Sequence, residues 1–485
     1  MARGAARKCR RASVTDVLVV GAGPAGAMAS LRAATLGART TLVTSGAFGG
    51  MAGTDGPVPV RTLAHAARLM REARQLGDYG VTVGDPHLVY PALLRRVAGV
   101  VQETGRQSTL RAQVDAAGVT VREGAGPLRF VDPHALEAAD GRRFTADKVI
   151  LCTGGVSRKL PIPGFNLTAT HSDAWSLAAV PESMLVVGSG ATGAQVASVF
   201  NAFGSRVHLF EAGPRILGTE EPEVSACVAG AFRDSGIVVH EAFGAIESFA
   251  KTADGVRMTY SRDGLSRHVD AALAVVAVGW TADTAALNLG AAGVATTDRG
   301  FVSVDERLCT SAAHIFAAGD VTGRRMLAPQ ALQAGFAAAT NALDGPAETG
   351  AHEINPVGSF TDPEYAQVGL GEAGARLAHD VEVVVVGYDE ATRPIIDGRA
   401  AGFCKLIVDR SSHAILGCHI VGERAVDVVQ VAAVAMAGGL TVGQMARMPL
   451  SFPTYAGVLG RAAAVAASTF GGAARRPGAE IGGLS

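Results

Sequence analysis

Apolar positions along the chain fall in short unbroken runs rather than in long stripes. Residues 271–278 and 381–386 are of a length and composition that predict buried strands. Two further runs each end in a glycine cluster followed by an alanine-rich stretch and a second strand-like run: Leu18-Val-Val-Gly21-Ala-Gly23-Pro24-Ala25-Gly26, and Leu185-Val-Val-Gly188-Ser-Gly190-Ala-Thr-Gly193. The alignment of the two copies continues without a gap, from Gly37-Ala-Arg against Gly204-Ser-Arg to Thr41-Leu-Val against His208-Leu-Phe. Each copy therefore reads as strand, tight turn, helix, strand, the βαβ unit of an α/β protein, and the chain carries it twice.

The glycine spacing has a physical reason. The first glycine permits the turn and the second lets backbone approach a pyrophosphate. The third lets the helix pack against the strand, so that its N-terminus faces the phosphate charge. An acidic side chain 23 residues past the first glycine would hold the adenosine ribose hydroxyls, and in the second copy that residue is Glu211. A carboxylate there repels a 2′-phosphate, which favours NADH, although Arg215 nearby offers NADPH a partner. In the first copy the same position is Thr44, a weaker anchor for its nucleotide.

Composition narrows the class. With 485 residues and 48% hydrophobic content against 18% charged, the chain can bury several cores. Its 43 basic and 44 acidic side chains leave a net charge of -1, which gives no electrostatic case for nucleic acid as a partner. No apolar run approaches the ~18 residues of a membrane-spanning helix. Six cysteines, Cys9, Cys152, Cys227, Cys309, Cys404 and Cys418, include no C-x-x-C or vicinal pair. That argues against a metal site and a disulfide scaffold and for a reducing cytoplasmic compartment. Cys152 reads as a buried core residue. Residues 1–14 read as a frayed basic arm, and those from 471 onward as a flexible tail.

Beyond the repeat come Thr153-Gly154-Gly155, Val276-Ala-Val-Gly279 and Ile315-Phe-Ala-Ala-Gly319-Asp320. Further on stand Phe360-Thr-Asp-Pro-Glu364, Gly402-Phe-Cys-Lys-Leu and Ile415-Leu-Gly-Cys-His-Ile-Val-Gly422. With the two fingerprints, these resemble the class I pyridine nucleotide-disulfide oxidoreductases, the dihydrolipoamide dehydrogenase, glutathione reductase and mercuric reductase group, over nearly the whole chain. The resemblance implies two Rossmann-like domains, for FAD (15–165 and 290–350) and NAD(P) (166–289), plus an α+β dimerisation domain (351–470). It implies FAD at Gly21, Gly23, Pro24, Ala25, Gly26, Thr44, Gly50, Thr153, Gly154, Gly319 and Asp320, and NAD at Gly188, Gly190, Gly193, Glu211 and Gly279. Asp320 would accept from the ribityl chain; capping the following segment is the alternative. A homodimer in which the partner completes the site is implied as well, and the apolar helix over 424–438 fits an interface.

The same alignment exposes departures. Where the family carries two cysteines separated by four residues, this chain has Ala52 and Pro57, neither of which can be a nucleophile. Where the partner's His-Pro-Thr and Glu would stand are Phe452 and Gly457. The family's Lys–Glu pair beside the flavin corresponds to Arg61 and Gln195, and Ala191 replaces the aromatic gate over the nicotinamide. Arg61 is a candidate catalytic cation, with bonding to loop carbonyls as the alternative. Tyr455 is a candidate proton donor or an interface packing residue. Asp55 is a candidate pocket acid or a loop residue. Met51, Ala52, Pro57 and, across the interface, Phe452 would line an apolar, flat acceptor pocket. The expectation is an FAD-dependent NAD(P)H oxidoreductase that reduces a non-disulfide acceptor, a planar quinone-like small molecule. The alternatives are a biosynthetic flavoenzyme with a dedicated substrate, a soluble transhydrogenase, and a non-catalytic flavin-binding scaffold.

Overall fold

The computed structural model describes residues 14–345 and 354–470; the basic arm and the tail expected at the two ends fall outside all or nearly all of it. Both βαβ units form. Strand β1 (Asp16–Val20) lies between β2 (Arg39–Val43) and Lys148–Leu151, all parallel, with Ile315–Ala317 and Thr120–Arg122 at the edges. The second unit repeats the plan in four parallel strands, Val238–His240, Arg206–Phe210, Ser183–Val187 and Leu273–Val276. Because both faces of these sheets are covered, the inner strands Asp16–Val20, Lys148–Leu151 and Ser183–Val187 are apolar after their first residue rather than alternating.

Small residues set the helix positions. Helix α1 (Pro24–Thr35) opens with proline in its first turn, where the missing N–H costs no hydrogen bond. It packs against Ala328–Leu343 so closely that a Cβ on Gly335 would lie 2.1 Å from the Ala25 carbonyl oxygen. The chain passes between the two units on a pair of antiparallel strands, Gly155–Ser157 outward and Trp280–Ala282 on the return.

The C-terminal region is a five-stranded antiparallel sheet in the order Val357–Ser359, Tyr365–Gly369, Ile415–Val421, Phe403–Asp409, Val381–Gly387. Helices Ala425–Ala437 and Gly457–Phe470 cover it with buried alanines and valines. The strand expected over 381–386 forms, but at the sheet's edge, where Val385 is 54% exposed; the valine run is therefore half-buried rather than buried on both faces. The helix Ala425–Ala437 likewise leaves Val434 exposed on its outer side.

A buried cation ties this sheet to the second βαβ unit. Lys405, 1% exposed, donates from Nζ to Glu221 (2.7 Å), the N-cap residue of helix Pro222–Asp234, and to Glu223 (3.0 Å) in its first turn, and is 2.7 Å from Glu372. Burial alone would push the ammonium's pKa down, but the three carboxylates more than reverse this and raise it.

Candidate active site

The two glycine turns have nearly superimposable stereochemistry. Gly21 and Gly188 both have left-handed φ, +101° and +93°, and a Cβ on either would strike a neighbouring strand's carbonyl, Cys152 O at 2.2 Å or Ala277 O at 2.5 Å. A Cβ on Gly26 would come within 1.8 Å of Gly21 O, and on Gly193 within 1.8 Å of Gly188 O. Gly23 and Gly190, by contrast, face open space at the helix N-termini. Each turn thus leaves a hollow in which backbone N–H groups and a helix dipole meet whatever enters, the setting for a pyrophosphate.

The first hollow carries polar groups without partners. The Thr153 hydroxyl is buried and unpaired, and among the described residues nothing bonds to the Asp320 carboxylate, whose pKa burial raises. Asp320 follows the left-handed Gly319, and its Cβ lies 3.6 Å from where a Cβ on Gly155 would stand. Gly50 abuts the turn, its absent Cβ only 2.8 Å from Gly23 Cα. Thr44 is buried at the end of β2, its N–H donating to Arg122 O and its carbonyl accepting from Ala125 N–H. Open glycine backbone, an orphaned hydroxyl and an unpaired buried carboxylate fit a polyhydroxylated dinucleotide such as FAD.

The second hollow opens into a cavity of about 780 Å³ lined by Gly188, Gly190, Ala191, Glu211 and Gly279, and reaching Ser157, His171, Trp280 and Met326. The Glu211 carboxylate is held by Ser189 N–H (3.1 Å), Ser189 Oγ–H (2.6 Å) and Gly213 N–H (2.7 Å), so it is fixed at the cavity wall with acceptor capacity left over. Arg215 turns away and donates to the carbonyls of Gly218 and Glu220, both at 3.1 Å. Met326 Cε lies 3.9 Å from a Cβ built on Gly155, so this cavity ends beside the Asp320 neighbourhood.

The segment from Met51 to Pro57 is compact. Met51 and Ala52 lie on α2 (Gly50–Thr54), Pro57 opens α3 (Pro57–Gln75), and Met51 O accepts from both Asp55 N–H (3.0 Å) and Gly56 N–H (2.6 Å). Arg61 stacks on a ring, and no hydrogen bond among the described residues joins it to the loop carbonyls expected as its alternative partners. Its guanidinium lies 3.3 Å above the Phe360 ring, while the Gln195 amide donates to Ala191 O within its own helix. A guanidinium left without a carboxylate partner settles on an aromatic face. The Tyr455 hydroxyl donates to Asp397 at 2.8 Å, and its ring lies 6.2 Å from that of Tyr388, within the same chain. Phe452 is 81% exposed in the single chain. Cys152 is a core residue at the end of its strand, its thiol pushed up to about 12 by burial. Cys404 and Cys418 lie within the C-terminal sheet, sulfurs 3.9 Å apart.

Four cavity residues, Ser157, His171, Trp280 and Met326, have no counterpart in the motifs. Only the Thr170-His-Ser-Asp173 capping box signals one of them, by placing a histidine at a helix start.

Two dinucleotide hollows of matched geometry, joined by paired crossover strands, define an oxidoreductase that works between two nucleotides. The chain belongs to the pyridine nucleotide-disulphide oxidoreductase family: the family profile matches residues 15–335 and the family's dimerisation domain matches 355–463. It is 30% identical over 469 residues to a dihydrolipoyl dehydrogenase of Geobacillus stearothermophilus, covering 94% of this chain and 97% of that protein. A dihydrolipoyl dehydrogenase of Haloferax volcanii is 33% identical over 459 residues, covering 92% and 94%. Among solved structures, LpdA from Mycobacterium tuberculosis superposes with a TM-score of 0.83 at 26% identity, over 93% of this chain and 99% of that one. The HOCl-induced flavoprotein disulfide reductase RclA from Escherichia coli shares the fold, with a TM-score of 0.82 at 23% identity, over 93% and 99%. No helix among the described residues is long and apolar enough to cross a membrane.

Proposed function

We propose that this chain is an NADH-dependent flavoenzyme of the family that hands electrons to a planar, quinone-like acceptor without a protein dithiol. The observation that carries the reading is the pair Ala52 and Pro57, one on the compact turn at Met51–Gly56 and the other just after it, where relatives would bear sulfur. The described cysteines lie elsewhere: Cys152 in the first core, Cys404 and Cys418 in the C-terminal sheet, Cys227 on the helix Pro222–Asp234, and Cys309 beside Phe316. Bound FAD would supply two-electron chemistry. The protein's part is to hold two rings about 3–3.5 Å apart and to keep water out. Glu211, fixed by three donors at the cavity wall, suits two ribose hydroxyls, and with Arg215 committed to loop carbonyls the NADPH phosphate would find no cation. The exposed Phe452 and the apolar outer face at Val434 support a homodimer whose partner closes the acceptor side. Free thiols suit a reducing compartment.

Anaerobic titration tests the reading. Stoichiometric NADH should bleach the flavin band, and a 1,4-benzoquinone should restore it, whereas lipoamide and glutathione disulfide should not. Efficient turnover of lipoamide would overturn the acceptor assignment.

A further inference from the structure

His171 stands between the nicotinamide nucleotide cavity and the segment from Met51 to Pro57. It is buried at the start of helix His171–Trp175, its ring edge-on to Trp280 with centroids 4.7 Å apart. Its Nδ1 is 3.1 Å from Ser157 Oγ, and its Nε2 is 3.3 Å from Ser172 Oγ. Ser172 Oγ in turn donates to Asp55 Oδ2. A carboxylate only accepts, so the single Ser172 proton is committed to Asp55. Ser172 Oγ must then accept from His171 Nε2–H, which leaves Nδ1 bare to accept from Ser157. All four groups are thereby aligned in one direction.

We propose that Ser157, His171, Ser172 and Asp55 form a proton path from the nucleotide cavity to the acceptor side, with the Asp55 carboxylate as the last relay to the reduced acceptor. This rests on the quinone reading above. A quinone that takes a hydride still needs one proton to become the hydroquinone. The Asp55 carboxylate takes the Ser172 Oγ–H proton and passes it on, ending again as a carboxylate. Ser172 takes the Nε2 proton of His171, Nδ1 takes the Ser157 proton, and cavity water restores Ser157. The sum is one hydride and one proton delivered, with every protein group returned to its starting state once the hydroxyls and the imidazole reset. A dithiol brings its own protons, and a site without one must import them. Burial holds the imidazole's pKa below its ordinary value, while Asp55 and Asp173, the carboxylates facing it, pull the other way.

The test uses Ser172, which lies outside the cavity lining. In the full-length flavoprotein, S172A should slow reoxidation by 1,4-benzoquinone about tenfold or more at pH 8 and make it rise as pH falls, because the proton then comes from solvent. Reoxidation by ferricyanide, which takes electrons without protons, should match the wild type, and S172T should restore the quinone rate. Separately, side-chain ¹⁵N spectra of the oxidised protein should show His171 as the neutral Nε2–H tautomer, with that preference lost in S172A. Quinone and ferricyanide rates that fall together, or an S172A rate equal to the wild type, would overturn the path, as would an imidazolium at pH 7. If the wild type itself reduces no quinone, the acceptor reading fails, and this proposal with it. A wild type active on quinone beside an equally active S172A sinks the path alone.

Discussion

Glycines two or three residues apart in each fingerprint do different things, and substitutions should separate them. Gly26 and Gly193 exist to bring a helix against a strand, and a methyl group there meets a backbone oxygen that cannot move without the strand. Gly193→Ala should raise KM for NADH about tenfold while flavin content, read from absorbance of the purified protein, stays at the wild-type level. Gly26→Ala should do the opposite and yield protein depleted of flavin. Glu211→Ala should raise KM for NADH by a similar factor and leave NADPH nearly unaffected, which steady-state kinetics with both nucleotides will show. Another residue bears on pH. The Glu364 carboxyl accepts from Val426 N–H but is pushed up to about 7, chiefly by burial and then by Glu423 and Asp427. A raised carboxyl contributes stability that is intact below its unfolded pKa and is lost as pH rises through 7. Glu364→Gln should therefore stabilise the fold by about 1–3 kcal/mol more at pH 8 than at pH 5, read from urea midpoints at the two values.

Between elements the decisive contact is the ammonium of Lys405. It sits on a central strand of the antiparallel sheet and reaches carboxylates at the start of the helix Pro222–Asp234 of the second nucleotide unit. Lys405→Met should cost about 3–5 kcal/mol, because it leaves the 9%-exposed Glu221 without its cation. Replacing Glu221 and Glu223 along with it should recover part of that loss, the mark of a coupled cluster. The elements themselves were largely readable from the chain. Apolar runs ending in G-x-G-x-x-G dictate strand, turn and helix, and the parallel partners follow from the repeat. Edge placement was not readable: the 381–386 valines look like any core strand, and only the structure shows that they pair on one side alone, with Phe403–Asp409, and that Val385 is exposed.

At the scale of the whole molecule, the site was legible as far as contiguous motifs reach. The glycine turns and the position of Glu211 on the cavity wall are local signals. Arg61 on Phe360 and the chain Asp55–Ser172–His171–Ser157 are not, because each joins segments far apart in sequence whose proximity only packing determines. The exposed Phe452 and Val434 belong to this scale too. Val434→Asp should convert dimers to monomers in sedimentation velocity and abolish quinone reduction, while NADH still bleaches the flavin of the separated chain.

The twin hollows carry a consequence for descent. Since the same turn, with the same close approach of helix to strand, serves both halves, a pyrophosphate entering either would meet backbone that a side-chain change scarcely alters, while the residue after each second strand, Thr44 or Glu211, lies outside that turn. On the reading proposed above, a change of nucleotide preference would need substitution only at Thr44 or Glu211, leaving the glycine turns as they are.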